Sequence, residues 1–154
     1  MSCMLKLGII CLNAILCFAV EPYVLQKAKG SPWPLPQSMT TTSTQYPISN
    51  NFIFKTTEYN CDILEKAFQR YYERIRDETK DLQQIALTSN GVQSLEIFLE
   101  TKCVEDIVPG YKMNESYTLI VENGASTLNA VEVWGALRGM ETFVQLVHSQ
   151  NSQV

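Results

Sequence analysis

The chain has 154 residues, 45% of them hydrophobic and 18% charged, with a formal net charge of −4. That is room for one domain of ordinary size, and the balance suits a globular fold rather than a disordered one. The acidic balance and the lack of any Lys/Arg run argue against a nucleic-acid partner.

Residues 1–19 read as an export signal. Lys6 supplies the positive start, Leu7 to Val20 is apolar apart from Asn13, and Ala19 is a small residue where a peptidase could cut. The run is shorter than the roughly 20 residues that span a bilayer, so no membrane attachment is expected after cleavage. Cys3, Cys11 and Cys17 fall in this segment, which leaves Cys61 and Cys103 of the five cysteines. Two cysteines in an oxidising lumen are expected to pair. A catalytic thiol or a metal site is the competing reading, but there is no CxxC and His148 is the one histidine.

Residues 20–32 form a polar leader ending at Ser31-Pro32. Trp33-Pro34-Leu35-Pro36-Gln37 is too rich in proline for a helix or a central strand. Thr40 to Thr44 suits an extended edge. Asn50-Asn51 reads as a turn before a short strand, Asn51–Thr56, with Phe52 and Phe54 on one face. A helix is expected from about Cys61 to Glu78, with Asn60 as its N-cap and Asp62 and Glu65 in its first turn. Ile63, Ala67, Tyr71 and Ile75 repeat every four residues beside Leu64, Phe68 and Tyr72, which gives one broad apolar stripe.

Ser94–Leu99 and Ser116–Val121 read as strands, and Glu122-Asn123-Gly124 as the turn that returns the chain along Leu128–Val131. The last helix runs from about Val133 to His148, buried along Val133, Leu137, Met140, Val144 and Val147. Gly135 and Gly139 lie four apart on it. Glycine costs a helix about 1 kcal/mol, so a pair of them points to close approach of a neighbouring backbone. Arg138 and Glu141 in the same helix weigh against a membrane pairing motif. The sum is an α+β fold, a mostly antiparallel sheet with two helices packed on it.

The search for chemistry returns little. Asp77-Glu78 is an adjacent acidic pair, but it ends the polar face of an amphipathic helix, a solvated setting rather than the buried one a catalytic acid needs. Glu105-Asp106 has the same solvated reading. His148 near Ser149 has no nucleophile elbow beside it. No phosphate loop, dinucleotide fingerprint or calcium loop occurs, so no catalytic residue, cofactor or metal is assigned. Asn114-Glu115-Ser116 is a glycosylation sequon placed just before a strand, and Asn114 is expected to carry a glycan in an exported chain.

Five segments in order resemble the N-terminal domain of eukaryotic β-hexosaminidases, glycoside hydrolase family 20. Trp33-Pro34-Leu35-Pro36-Gln37 is similar to the WPxPQ that opens the family's mature subunits, and Asn50-Asn51-Phe52-Ile53-Phe54 to its NNFxF strand. Cys61 to Tyr71 resembles the CxxLxEAFxRY helix, and Ser116-Tyr117-Thr118-Leu119 the xYTL strand, with the sequon slightly upstream of its usual place. Val133 to Phe143, VWGALRGMETF, resembles the helix that closes the domain. Cys103 falls where the family places the partner of Cys61.

The resemblance implies a non-catalytic domain over 33–148 with a tail at 149–154. It implies a parent enzyme that removes terminal N-acetylhexosamine from glycoconjugates, in the lysosome or outside the cell. In that family the substrate's own acetamido group attacks the anomeric carbon, and the neighbouring aspartate and glutamate sit in a TIM barrel. The barrel is absent from this chain, so the chain alone is expected to be inactive. Its expected partners are the catalytic barrel in cis and a second hexosaminidase subunit, with glycan substrates met only through the barrel. The alternative is a free-standing secreted carbohydrate-binding or interaction module, for which Trp33 and Tyr111 are the loop aromatics to test.

Overall fold

The computed structural model describes residues 32–79, 91–104 and 106–147. The export signal, the leader up to Ser31, Lys80, Glu105, His148 and the tail at 149–154 lie outside the described residues. The elements run β1 (Ile48–Thr56), α1 (Asp62–Thr79), β2 (Val92–Leu99), β3 (Tyr117–Ile120), β4 (Gly124–Ala130) and α2 (Val133–Leu146).

The α+β class holds, but the sheet is mixed rather than mostly antiparallel. Its order is β1-β2-β4-β3, with β1–β2 and β2–β4 parallel and only β3–β4 antiparallel. The reason is the path of the chain. A strand, a helix and a strand in succession form a crossover, which lays β1 and β2 parallel. The β3–β4 pair then inserts its second strand against β2, so β4 runs with β2 and β3 is left at the edge. Gly124 closes that hairpin with φ of 87°, a conformation glycine adopts without a Cβ penalty.

Four local readings are corrected. Thr40–Thr44 forms no strand and lies exposed. Asn50-Asn51 is not a turn but part of β1, where the pairing with β2 shifts between Ile48 and Ile53. The turn signal marks that irregularity, and the Asn51 N–H donates to Ser49 Oγ at 3.3 Å. Asn60 does not cap α1 through its carbonyl. It stands two residues before the helix, and its Nδ2 donates to Glu65 Oε1 at 2.8 Å. Asp62 and Glu65 do occupy the first turn, with Arg76 in the last, which suits the helix dipole. β4 also begins earlier than Leu128, because Ser126 buries its hydroxyl in the turn, accepting from the Glu122 N–H and donating to the Glu122 carbonyl.

Phe52 and Phe54 sit two residues apart on β1 and so share a face. Phe52 stacks on Phe143 of α2, and Phe54 stacks on Phe68 of α1, each pair 5.5 Å between centroids. Both helices therefore cover the same side of the sheet. Leu64, Ala67, Leu95, Ile97, Leu128, Ala136 and Met140 are closed off from water between them. Each buried leucine or isoleucine contributes about 1.5–3 kcal/mol by leaving water. The opposite side is open, with Ile53 exposed and Lys55 bridging Glu96 at 2.8 Å. Tyr72 pins the edge strand, its hydroxyl accepting from the Phe54 N–H and donating to the Phe52 carbonyl. Backbone groups on an edge strand are thus engaged by a side chain rather than left as a pairing template.

Candidate functional surface

Cys61, just before α1, is joined to Cys103, just after β2, with a Cα–Cα distance of 6.0 Å. Both are buried. The bridge closes a loop with a sequence separation of 42, which chain entropy values at about 4 kcal/mol at most. It ties α1 to the base of the segment that follows β2. That segment holds the exposed side chains Val104, Val108 and Tyr111 before the chain enters β3.

α2 lies close against the sheet at its two glycines. A Cβ on Gly135 would overlap the Ser116 carbonyl oxygen, and one on Gly139 would overlap the Leu128 side chain. The two glycines thus let the helix lie against the start of β3 and against β4, the close approach their spacing suggested. Phe143, absent from the periodic reading of this helix, is one of its most buried side chains, while Leu137 is only half-buried. The N-cap position, Glu132, makes no side-chain cap. Its carboxylate instead accepts the Asn114 N–H at 2.9 Å.

The outer side of the helix pair carries a polar network. Arg74 of α1 meets Glu141 of α2 at 2.6 Å. Gln145 Nε2 donates to the other Glu141 oxygen at 3.1 Å and to the Trp33 carbonyl at 2.8 Å, while Gln145 Oε1 accepts the Trp33 N–H at 2.6 Å. Both hydrogens and the oxygen of the Gln145 amide are therefore engaged, and it clamps the Trp33 backbone through its N–H and its carbonyl. The Trp33 side chain is left 82% exposed, and Leu35 beside it 67%. Burial alone would raise the Glu141 carboxyl, but the Arg74 guanidinium, the Gln145 amide and the Tyr71 hydroxyl together hold it below the ordinary glutamate range. Burial first, and then the Glu141 charge, push the Tyr71 phenol up.

The sequence-derived candidates do not converge. Asp77 and Glu78 are exposed at the end of α1. Among the described residues no group of three or more His, Cys, Asp or Glu side chains could hold a metal. A shallow cleft of about 150 Å³ lies over Glu100, Tyr117, Thr118 and Asn129. Small-molecule sites run to roughly 300–1,000 Å³, so this one is too small to enclose a sugar ring. Asn114 is half-buried in the turn before β3. Its Oδ1 accepts both the Ser116 N–H at 2.9 Å and the Ser116 hydroxyl at 2.6 Å.

The network around Gln145 and Glu141 was not anticipated from the sequence. Its one visible sign is their spacing of four on a helix. The partners on α1 and at Trp33 come together only through the tertiary fold.

Residues 32–146 match a family model described as beta-acetyl hexosaminidase like. The chain is 33% identical to the β-hexosaminidase subunit beta of Felis catus over 94% of its length, which is 29% of that protein. It is 37% identical to the corresponding subunit of Sus scrofa over 77% of its length and 34% identical to that of Homo sapiens over 86%. The chain spans about a quarter of the length of these relatives. The fold is also similar to that of a chitobiase of Flavobacterium johnsoniae, with a TM-score of 0.59 and 24% identity over 79% of this chain and 18% of that one.

Proposed function

The chain belongs to the beta-acetyl hexosaminidase-like family, and from that membership we propose that residues 33–148 are a non-catalytic domain that braces a hexosaminidase. The observation that carries this reading is what the family-like segments do. Phe52 and Phe54 build the aromatic core, Cys61 forms a disulfide, and Gly135 and Gly139 seat a helix on the sheet. Each contributes packing, and none presents a reactive group to a cavity. The relatives are named β-hexosaminidases, so the parent activity is removal of terminal N-acetylhexosamine from glycoconjugates, performed by a catalytic barrel in cis and, in the assembled enzyme, beside a second subunit. Asp77 and Glu78 are exposed rather than buried as a catalytic acid would be, and the chain by itself is expected to turn over no glycoside.

The same reading places the chain in the secretory pathway, bound for the lysosome or the extracellular space, after removal of residues 1–19. It makes Asn114 the glycan acceptor. The closed disulfide fits an oxidising compartment.

Assay of the pure chain on a chromogenic N-acetylglucosaminide tests the proposal. Hydrolysis no faster than the buffer rate is the expected result, and saturable turnover overturns it. The second reading, a carbohydrate-binding module, is favoured by one observation, the exposed Trp33 ring on a clamped backbone. Retention of the chain on immobilised glycans, lost in Trp33→Ala, would move that reading to the front.

A further inference from the structure

The sequon in this chain is bound into the fold at every one of its residues. The Asn114 N–H is held by the Glu132 carboxylate at the start of α2. The Glu115 carboxylate pairs with Arg138 of α2 at 2.8 Å. The Ser116 carbonyl lies against Gly135, where no Cβ fits. Tyr117 then enters β3 opposite Ala130, and its hydroxyl meets Thr142 Oγ1 at 2.7 Å. Four consecutive residues are thus fixed to two elements that follow the sequon in the chain.

The chemistry of the acceptor points the same way. Transfer forms a bond from Asn114 Nδ2 to the anomeric carbon of an oligosaccharide carried on a lipid pyrophosphate. The bond from that carbon to the pyrophosphate oxygen breaks, the lipid pyrophosphate leaves, and the amide proton goes to a base of the transferase. An amide nitrogen reacts only as far as its lone pair is freed from resonance with the carbonyl. Here Asn114 Oδ1 accepts two hydrogen bonds, which stabilise the charge-separated form and draw that pair away from Nδ2. The Ser116 hydroxyl, the part of the motif an enzyme must read, is the donor of one of them. Among the described residues no acceptor takes a hydrogen bond from Asn114 Nδ2, so a glycan there displaces no such bond.

We infer that glycosylation of Asn114 is confined to the interval before α2 docks on the sheet, and that docking of α2 closes the site. The inference rests on the reading of Asn114 as an acceptor, and it adds an order of events, modification first and packing of α2 second. Asn114-Glu115-Ser116 is the one sequon in the sequence, so any transfer reports on it.

The test offers the full chain, made without glycan, to a purified oligosaccharyltransferase with a lipid-pyrophosphate oligosaccharide. One sample is folded and oxidised, and the other is reduced at Cys61 and Cys103 and held unfolded until addition. Asn114→Gln serves as the blank. The reduced chain is expected to be modified, and the folded chain about tenfold more slowly or less, since transfer must wait for local opening. The double variant Glu132→Ala, Arg138→Ala removes two of the ties without touching the core, and its folded form is expected to regain part of the rate. Equal rates for folded and reduced wild-type chain overturn the order proposed. No transfer to the reduced chain, with a sequon peptide modified alongside, overturns the acceptor reading itself and the inference with it.

Discussion

At the scale of single residues, the two glycines of α2 make different demands. The Ser116 carbonyl that faces Gly135 is backbone, held by the turn before it and the strand after it. The Leu128 atoms that face Gly139 belong to a side chain with rotamers of its own, though a fully buried one. Overpacking of this kind costs about 1–3 kcal/mol. Gly135→Ala is therefore expected to lower the denaturation midpoint by an amount in the upper part of that range, and Gly139→Ala by less. Chemical unfolding of both variants reads the order. Equal or reversed losses would mean that the edge at Ser116 yields more easily than the Leu128 side chain. Both glycines could be picked out in the sequence because a residue with a helix penalty was repeated at a helical spacing. What they pack against could not, since Ser116 and Leu128 are placed by the sheet.

At the scale of elements, the helices were readable and the sheet only in part. Of the stripe read from the sequence, Leu64, Ala67, Tyr71 and Ile75 are buried and Ile63, Phe68 and Tyr72 half-buried, because a helix shows its inner face within its own sequence. Strand direction is a property of connections rather than of strands. The order strand, helix, strand from β1 to β2 carried the information that the pairing is parallel, yet alternation within each strand does not express it. The turn at Asn123-Gly124 was visible because it needs a positive φ. Asn50-Asn51 misled, because turn residues also accommodate a shift of register inside a strand.

The contact between α1 and α2 brings a pH dependence. The Glu141 carboxyl is depressed in the folded chain by Arg74, Gln145 and Tyr71, against the opposing effect of burial. A carboxyl with a depressed folded pKa contributes stability that is present above its unfolded pKa and is lost as pH falls through the folded one. Glu141→Gln removes that titration. The variant is expected to be less stable than the wild type near neutrality, with the gap narrowing between about pH 5 and pH 3. Unfolding midpoints of the two proteins across that interval test the sign. A gap that widens on acidification would show that Glu141 is not held in its charged form by α1.

At the scale of the whole molecule, the fold is a sheet with one covered side, a disulfide that ties the first helix to the segment after β2, and a clamp that fixes Trp33 on α2. On the proposed reading, these are the parts of a rigid support. The acidic pair Asp77-Glu78 is exposed, and the cleft over Tyr117 and Asn129 is smaller than a sugar-binding site. Support and catalysis make opposite demands on a variant. Loss of support reduces how much enzyme is folded and leaves the surviving sites as they were. Loss of a catalytic or substrate-binding group alters kcat or KM in enzyme that folds normally.

The measurement that meets the central claim most directly uses a chimera. Residues 33–148 replace the matching segment of the Sus scrofa β-hexosaminidase subunit beta, and Gly135→Ala is introduced into the exchanged part. The bracing account predicts an active chimera whose variant gives less soluble enzyme with KM and kcat per folded molecule unchanged. A variant produced in full yield with an altered KM would contradict it, and would place this domain in contact with substrate.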